Sequence, residues 1–397
     1  MPRVLIIVCN RYAYDARTQR HAEALAERGY EIDVICLASP PTARNERINL
    51  IEIKWPRYQG SSRSSYLRTY LRFFVQAAAI ALRRSLEKPY DLVLACSMPD
   101  AIVLCALPAR LFGSRIILDI RDTMPELYQD KFGKGPTDVG TRLLLAEERL
   151  SAGLANRVLA VHEPHRQRLE AAGIPPDKLD VVMNSPDPRI FNSGLRPAAG
   201  ACEPFTLIYH GTITRRLGLD VALHAINMLR ERIPSLHLLV LGIGDGLPGV
   251  KALAARLNLE QMVTFAGPTP VRELPPILSR ATVGLVPNRA SCATHLMLPV
   301  KLLEYAMFGI PVVAARLKTI EHYFDEDAVR YFTPDDPADL SAAIEDLYRN
   351  PARRARLSMR AAEIADRLNW IDQRNEYYRV IDSLGNWNPH GAGARAG

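Results

Sequence analysis

Apolar positions along the chain fall into two alternating regimes. Short unbroken runs, RVLIIVC, EIDVICL, DLVLACS, RIILDI, RVLAVH and LDVVMN, are separated by stretches such as TQRHAEALAERG, where apolar residues recur every three or four positions. An unbroken run suits a strand covered on both faces, as in a parallel sheet. The longer spacing suits an amphipathic helix, and Gly29 closes this one. The alternation predicts a doubly wound α/β domain over residues 1–188. PDPRIFNSGLRPAAGACEP then interrupts it with Pro, Gly and small residues and reads as a linker. The pattern restarts with FTLIYHG, LHLLVLG, MVTFAG, VGLVPN, PVVAA and VRYF, which predicts a second doubly wound domain over residues 189–384. Leu219, Ala222, Ile226 and Leu229 share one face of its first helix. Its last helical stretch, about 351–384, is open to packing back on the N-terminal domain. The tail, 385–397, is expected to be disordered.

The 397-residue length agrees with two domains, and 50 Lys+Arg against 43 Asp+Glu leave a surplus of seven positive charges. That surplus fits an anionic ligand, a nucleic acid or an acidic membrane, and does not choose among them. Cys9, Cys36, Cys96, Cys105, Cys202 and Cys292 form no CxxC pair and read as buried free thiols. The opening MPRVLIIVCN reads as a strand rather than a signal peptide, and FFVQAAAIAL is too short to span a bilayer. A cytoplasmic protein is expected. No His/Cys/Asp group has metal-ligand spacing, so no metal and no cofactor are expected. No recognition motif accompanies the charge, so nucleic acid is not expected as a partner.

In open α/β sheets, ligands bind beyond the carboxyl ends of the strands, so two facing domains imply a central cleft lined by strand-to-helix loops. In HLMLPVKLLEYAMFGIPVV, Pro299 suits a helix start, and the first-turn amides of Val300 and Lys301 favour an anion. Glu304, one turn on, offers a carboxylate to a ribose diol. A surface Lys–Glu pair would show the same spacing and contribute a few tenths of a kcal/mol. HGTITRRLG adds a strand end, Gly211, Thr212 and the phosphate-fitting forks of Arg215 and Arg216. GIGDG (Gly242, Gly244, Gly246) lacks the full dinucleotide spacing. His162 ends a strand and reads equally as a site or a structural histidine. His210 and His295 stand nearer the donor loops. SRSSYLRTYLRFFVQAAAIALRRSLEK places Arg63, Arg68, Arg72, Arg83 and Arg84 around Leu71, Phe73 and Phe74. It reads as a core helix or as a peripheral contact with an anionic membrane over residues 63–84.

Taken in order, HGT–RR–G, LGIGDG, VTFAG, VGLVPN and LPVKLLEYAMFGIPVV resemble the nucleotide-sugar domain of GT-B glycosyltransferases of retaining family 4. YDARTQRHAEALAERGYEIDVI, SMPDAIVLCALPARLFGSRIILDIRDTMPELYQDKFG and NSPDPRIF are similar to the N-terminal half and interdomain junction of members that build surface polysaccharides. The resemblance covers residues 1–384. It implies a retaining hexosyl- or N-acetylhexosaminyl-type transferase, using a UDP or GDP sugar and a glycan, lipid-linked or small-molecule acceptor, at the inner face of the cell membrane. It places Glu304 on the nucleotide ribose, Lys301, Arg215 and Arg216 near the diphosphate, and Gly211, Thr212, Gly242, Phe265 and Val300 around the donor. It places Arg17, Arg121 and His162 on the acceptor side, and Asp119 and Asp122 in the catalytic region. Two positions depart: Leu296 stands where the family has its first glutamate, and Arg121 where it has a histidine. A nucleotide-sugar epimerase of the same fold, or a non-catalytic partner subunit, are the alternative readings.

Overall fold

The structure, a computed structural model, describes residues 1–40, 45–54, 63–192 and 204–385, the side chains of 63–67 excepted. Contacts divide the chain into two compact units, Met1–Asn184 with the stretch from Gln373, and Ser185–Asp372.

The first unit runs β1 (Arg3–Arg11), α1 (Ala16–Glu27), β2 (Glu31–Leu37), β3 (Ile48–Ile53), α2 (Arg63–Glu87), β4 (Leu92–Cys96), α3 (Leu107–Arg110), β5 (Arg115–Asp119), α4 (Met124–Phe132), α5 (Val139–Leu154), β6 (Arg157–Ala160), α6 (Glu163–Ala171) and β7 (Leu179–Val181). Its seven parallel strands lie in the order β3-β2-β1-β4-β5-β6-β7. Val4 to Ile7 in β1 and Leu92 to Cys96 in β4 are fully buried, which is why these central strands carry no polar alternation. β3 escaped the sequence reading because INLIEI alternates: it is an edge strand with only Ile53 buried.

The second unit runs β8 (Phe205–His210), α7 (Leu219–Leu229), β9 (Leu236–Leu241), α8 (Leu247–Arg256), β10 (Val263–Phe265), α9 (Leu274–Leu278), β11 (Val283–Val286), α10 (Val300–Met307), β12 (Val312–Ala315), α11 (Lys318–Tyr323), β13 (Val329–Phe332), α12 (Pro337–Arg349) and α13 (Pro351–Asp366). Its six parallel strands lie in the order β10-β9-β8-β11-β12-β13. Leu219, Ala222, Ile226 and Leu229 of α7 are buried as their spacing predicts, and α7 packs on α12. Each such leucine or isoleucine contributes about 1.5–3 kcal/mol on burial. Asp336 caps α12 by accepting from the amides of Ala338 and Asp339.

The expected single helix over 351–384 is two. A break after α13 is followed by α14 (Trp370–Leu384), which begins where Asn369 accepts the Asp372 amide at 3.1 Å. From Gln373 onward α14 belongs to the first unit. There the Tyr378 hydroxyl donates to the Ala24 carbonyl at 2.8 Å and Arg28 pairs with Asp382 at 2.9 Å. Two further readings need correction. Cys292 is exposed and Cys9 half-buried, while Cys36, Cys96 and Cys105 are buried as expected; Cys202 lies outside the described residues. Phe73, read as part of a surface, is in the core at 1% exposure, and Phe74 is half-buried against that core. The tail beyond 385 and most of the linker also lie outside the described residues.

Candidate functional site

The second unit gathers its chemistry at the carboxyl end of β8 and the amino end of α10. Tyr209 and His210 end β8, and Gly211 follows with φ of +108°, in the left-handed region that glycine alone adopts freely. Lys301 is buried, and its Nζ lies 3.6 Å from the centre of the Tyr209 ring with no hydrogen-bond acceptor among the described residues. Burial pushes the Lys301 ammonium down to about 7; Glu304 opposes that shift and Arg216 adds to it. A Cβ on Gly211 would stand 3.7 Å from this Nζ, so the glycine backbone lies directly beside the lysine tip. Pro299 opens α10 and no side chain caps it. A buried amine, first-turn amides and a bare glycine backbone thus share one spot, and all three favour an anion.

Glu304 is also buried, one turn along α10. Its Oε2 accepts from His210 Nε2 at 2.5 Å, and His210 Nδ1 lies 2.9 Å from the Tyr305 hydroxyl. That hydroxyl donates to the Ile208 carbonyl at 3.2 Å. His210 and Tyr305 therefore fix the carboxylate from behind. The sequence reading placed His210 near the donor loops but missed this pairing, which joins positions 94 apart.

The loops after β8 and β9 explain their glycines by close approach. A Cβ on Gly242 would meet the Gly211 carbonyl oxygen at 1.9 Å, and one on Gly244 the Ile213 oxygen at 2.0 Å. These glycines let two loops cross, so Gly242 earns its place by packing. Gly218, with φ of +67°, would put a Cβ 1.8 Å from the Pro287 oxygen. Arg216 is half-buried with Nη1 3.4 Å from Met297 Sδ, whereas Arg215 and Thr212 are exposed. The structure thus brings Gly211, Arg216, Lys301, Val300 and Glu304 together. Phe265 stands apart, at the end of edge strand β10 with β9 between it and β8. Leu296 is half-buried in the 3-10 turn before α10, and His295 accepts the Lys318 amide at 3.3 Å.

In the first unit, three of the residues read as catalytic or acceptor-side, Asp119, Arg17 and Arg121, form a buried ion-pair network with Asp15. Asp119, fully buried at the end of β5, accepts from Arg17 Nη2 at 2.7 Å and from Arg121 Nε at 2.8 Å. Arg121 Nη1 also donates to Asp15 at 2.8 Å, and its Nη2 to Thr18 Oγ1 at 3.0 Å. Burial alone would raise the Asp119 carboxyl, but Arg17 and Arg121 overcome it and hold the group well below the usual carboxylate range. A carboxylate so acidic and so enclosed is no proton acceptor, so a catalytic role for Asp119 does not fit this geometry. Arg17 is 4% exposed, and its Nε and Nη2 donate to Asp119. Arg121 pairs with Asp15 and Asp119. His162 is buried as the cap of α6, its Nδ1 accepting the His165 amide at 3.1 Å. Asp122 is half-buried in the loop after β5.

Residues 14–185 match the family described as glycosyl transferase 4-like domain, and residues 204–350 match glycosyl transferases group 1. These are glycosyltransferase families, which does not favour the epimerase reading. The chain is 29% identical over 280 residues to the D-inositol 3-phosphate glycosyltransferase of Thermomonospora curvata, covering 64% of each chain. It is 27% identical over 188 residues to the amylovoran biosynthesis glycosyltransferase AmsK of Erwinia amylovora, covering 47% of this chain and 46% of AmsK. The matches thus span about half to two thirds of these relatives. Among solved structures, HepE of Anabaena in complex with UDP and glucose superposes with a TM-score of 0.72 at 16% identity, over 96% of this chain and 100% of HepE. That likeness speaks for the fold. The chain thus carries a glycosyl transferase 4-like domain over residues 14–185 and a glycosyl transferases group 1 domain over residues 204–350, on the two parallel Rossmann-like sheets of the GT-B fold.

Proposed function

We propose that the protein transfers a sugar from a nucleoside-diphosphate sugar to a glycan, lipid-linked or small-molecule acceptor, with retention of configuration. One observation carries the reading: among the described residues the Lys301 amine is buried without an acceptor at the amino end of α10, beside Gly211 and one turn from Glu304. An enclosed amine with no partner is costly unless an anion meets it. A diphosphate supplies that anion, and the Glu304 carboxylate, held by His210, accepts the ribose hydroxyls. In the transition state the sugar–phosphate bond breaks and negative charge grows on the leaving diphosphate. Lys301, Arg216 and the α10 amides stabilise that charge where it develops. HepE was solved with UDP, which supports a nucleoside-diphosphate sugar, of UDP or GDP, as the donor. AmsK, by its name, serves amylovoran biosynthesis, which supports a glycan or lipid-linked acceptor. Asp122 is the carboxylate proposed for the catalytic region. A cytoplasmic enzyme that works peripherally at the inner membrane face completes the reading.

Thermal-shift screening with UDP, GDP, ADP and their sugars identifies the base, and product analysis with soluble and lipid-linked acceptors identifies the reaction. Glu304→Ala is expected to weaken nucleotide binding by about 1.5–3 kcal/mol, the cost of losing a charged hydrogen-bond partner. An unchanged calorimetric affinity refutes the donor site. Turnover is expected to persist in EDTA; loss restored by a divalent ion refutes leaving-group stabilisation by these cations alone.

A further inference from the structure

Scattered exposed apolar side chains are ordinary on a protein surface, but rows of them on adjoining elements are not. On α2, Leu71, Val75, Leu82 and Leu86 are 60%, 61%, 40% and 66% exposed. Their spacing puts them on one stripe, about 22 Å long at the helical rise. The opposite face, with Phe73, Ala77 and Ala81, is buried in the core. On α5, Val139, Leu143 and Leu150 are 71%, 65% and 71% exposed, also on one stripe, while Thr141 and Glu148 behind them are buried. Both helices pack against the 3-10 segment Asp100–Ala106, whose Leu104 is itself exposed; α3 follows, with Leu111 beyond it at 83%. The rows therefore belong to one face of the first unit.

Charge selects the occupant. Arg68, Arg72 and Arg83 are exposed along the α2 stripe, Arg110 adjoins Leu111, and Arg142 and Arg149 are exposed on α5. The exposed acid on α2, Glu87, is already paired with Arg83 and Arg84. A two-fold contact between copies lays a patch on itself and brings these arginines together, which repels. An anionic lipid surface takes the same arginines in its headgroups and the leucine rows at the acyl boundary, the seating of interfacial helices. Among the described residues no helix is long and apolar enough to cross a membrane, so this contact is peripheral.

We propose that the face formed by α2, Leu104, Leu111 and α5 seats the protein on an anionic lipid surface, with α5 an equal partner of α2. The sequence placed such a contact on residues 63–84 alone and counted Phe73, which the core takes. The proposal is independent of the donor chemistry.

The test uses the full chain, phosphatidylcholine vesicles with and without phosphatidylglycerol, and co-sedimentation at low and raised salt. Wild type is expected to bind only the anionic vesicles, and less as salt rises. Arg68→Glu with Arg72→Glu is expected to lower partitioning by at least about 30-fold, taking roughly fivefold for each basic residue. Leu143→Glu with Leu150→Glu, on exposed positions, is expected to lower it comparably. Met228→Glu with Met359→Glu, exposed on the second unit, is expected to leave it unchanged. Circular dichroism and thermal melts establish that each variant is folded. Wild type that stays in the supernatant, or an α5 variant that binds as wild type does, overturns the proposal. So does a dimer in analytical ultracentrifugation that the α5 variant abolishes without any vesicle binding, since it gives the face to a second copy.

Discussion

Replacing Lys301 with methionine separates the cost of the site from its use. The ammonium lies over the Tyr209 ring with no acceptor among the described residues, and burial pushes it from its ordinary 10.5 down to about 7. In the unfolded chain the amine holds its proton up to 10.5; in the folded chain it loses it above about 7. Between those values the unfolded state binds more protons, so stability rises with pH across the window, and the deficit is full below 7. At 1.36 kcal/mol for each tenfold change, the drop from 10.5 to about 7 bounds that deficit at roughly 5 kcal/mol. Methionine keeps the length, carries no charge and packs its thioether on the ring. Lys301→Met is therefore expected to melt several degrees higher than wild type at pH 7, with the gap closing by pH 10. The same change is expected to weaken UDP binding by about 1.5–3 kcal/mol. Calorimetry in buffers of different ionisation enthalpy adds a sharper readout. A diphosphate beside Nζ restores its charge, so wild type takes up close to one proton on binding UDP near pH 9, and the methionine variant takes up none. A variant that melts lower than wild type at pH 7, or proton uptake that survives the substitution, refutes the reasoning.

Three other substitutions probe the scaffold. Asp119→Asn leaves the buried Arg17 and Arg121 facing a neutral group and is expected to cost about 3–5 kcal/mol in urea unfolding; an unchanged midpoint refutes the keystone role. Asp100 is fully buried, and burial beside Glu147 and Glu148 pushes its carboxyl well above the ordinary 3.8. Its stability deficit therefore grows as pH rises past that value, and Asp100→Asn is expected to gain on wild type from pH 5 to pH 8 in melting scans. Gly218→Ala forces a positive φ on alanine and a Cβ onto the Pro287 oxygen; a loss of about 1–3 kcal/mol is expected, and a neutral result contradicts the close approach.

The sequence alone determined the elements whose signal is local. Twelve of the thirteen strands lie within the apolar runs or their immediate flanks that the hydrophobic pattern marks, and the covered face of α7 follows from its three-to-four spacing. β3 was lost because an edge strand alternates like many exposed segments, and the pause at Asn369 because a cap inside an otherwise helical pattern is a weak signal. Lys301 and Glu304 were legible as a pair because one helical turn places them, but their meaning was not. Tertiary structure decided that Lys301 loses its water on the Tyr209 ring and that Glu304 meets His210. It turned Asp119 from a catalytic candidate into the hub between Arg17 and Arg121, across 102 positions of chain. It also decided that α2 covers Phe73 and leaves Leu71, Val75 and Leu86 outside. Periodicity reports which residues share a face of a helix; only the packing of distant elements determines which face is dry, and burial is what turns a side chain's charge into an energy.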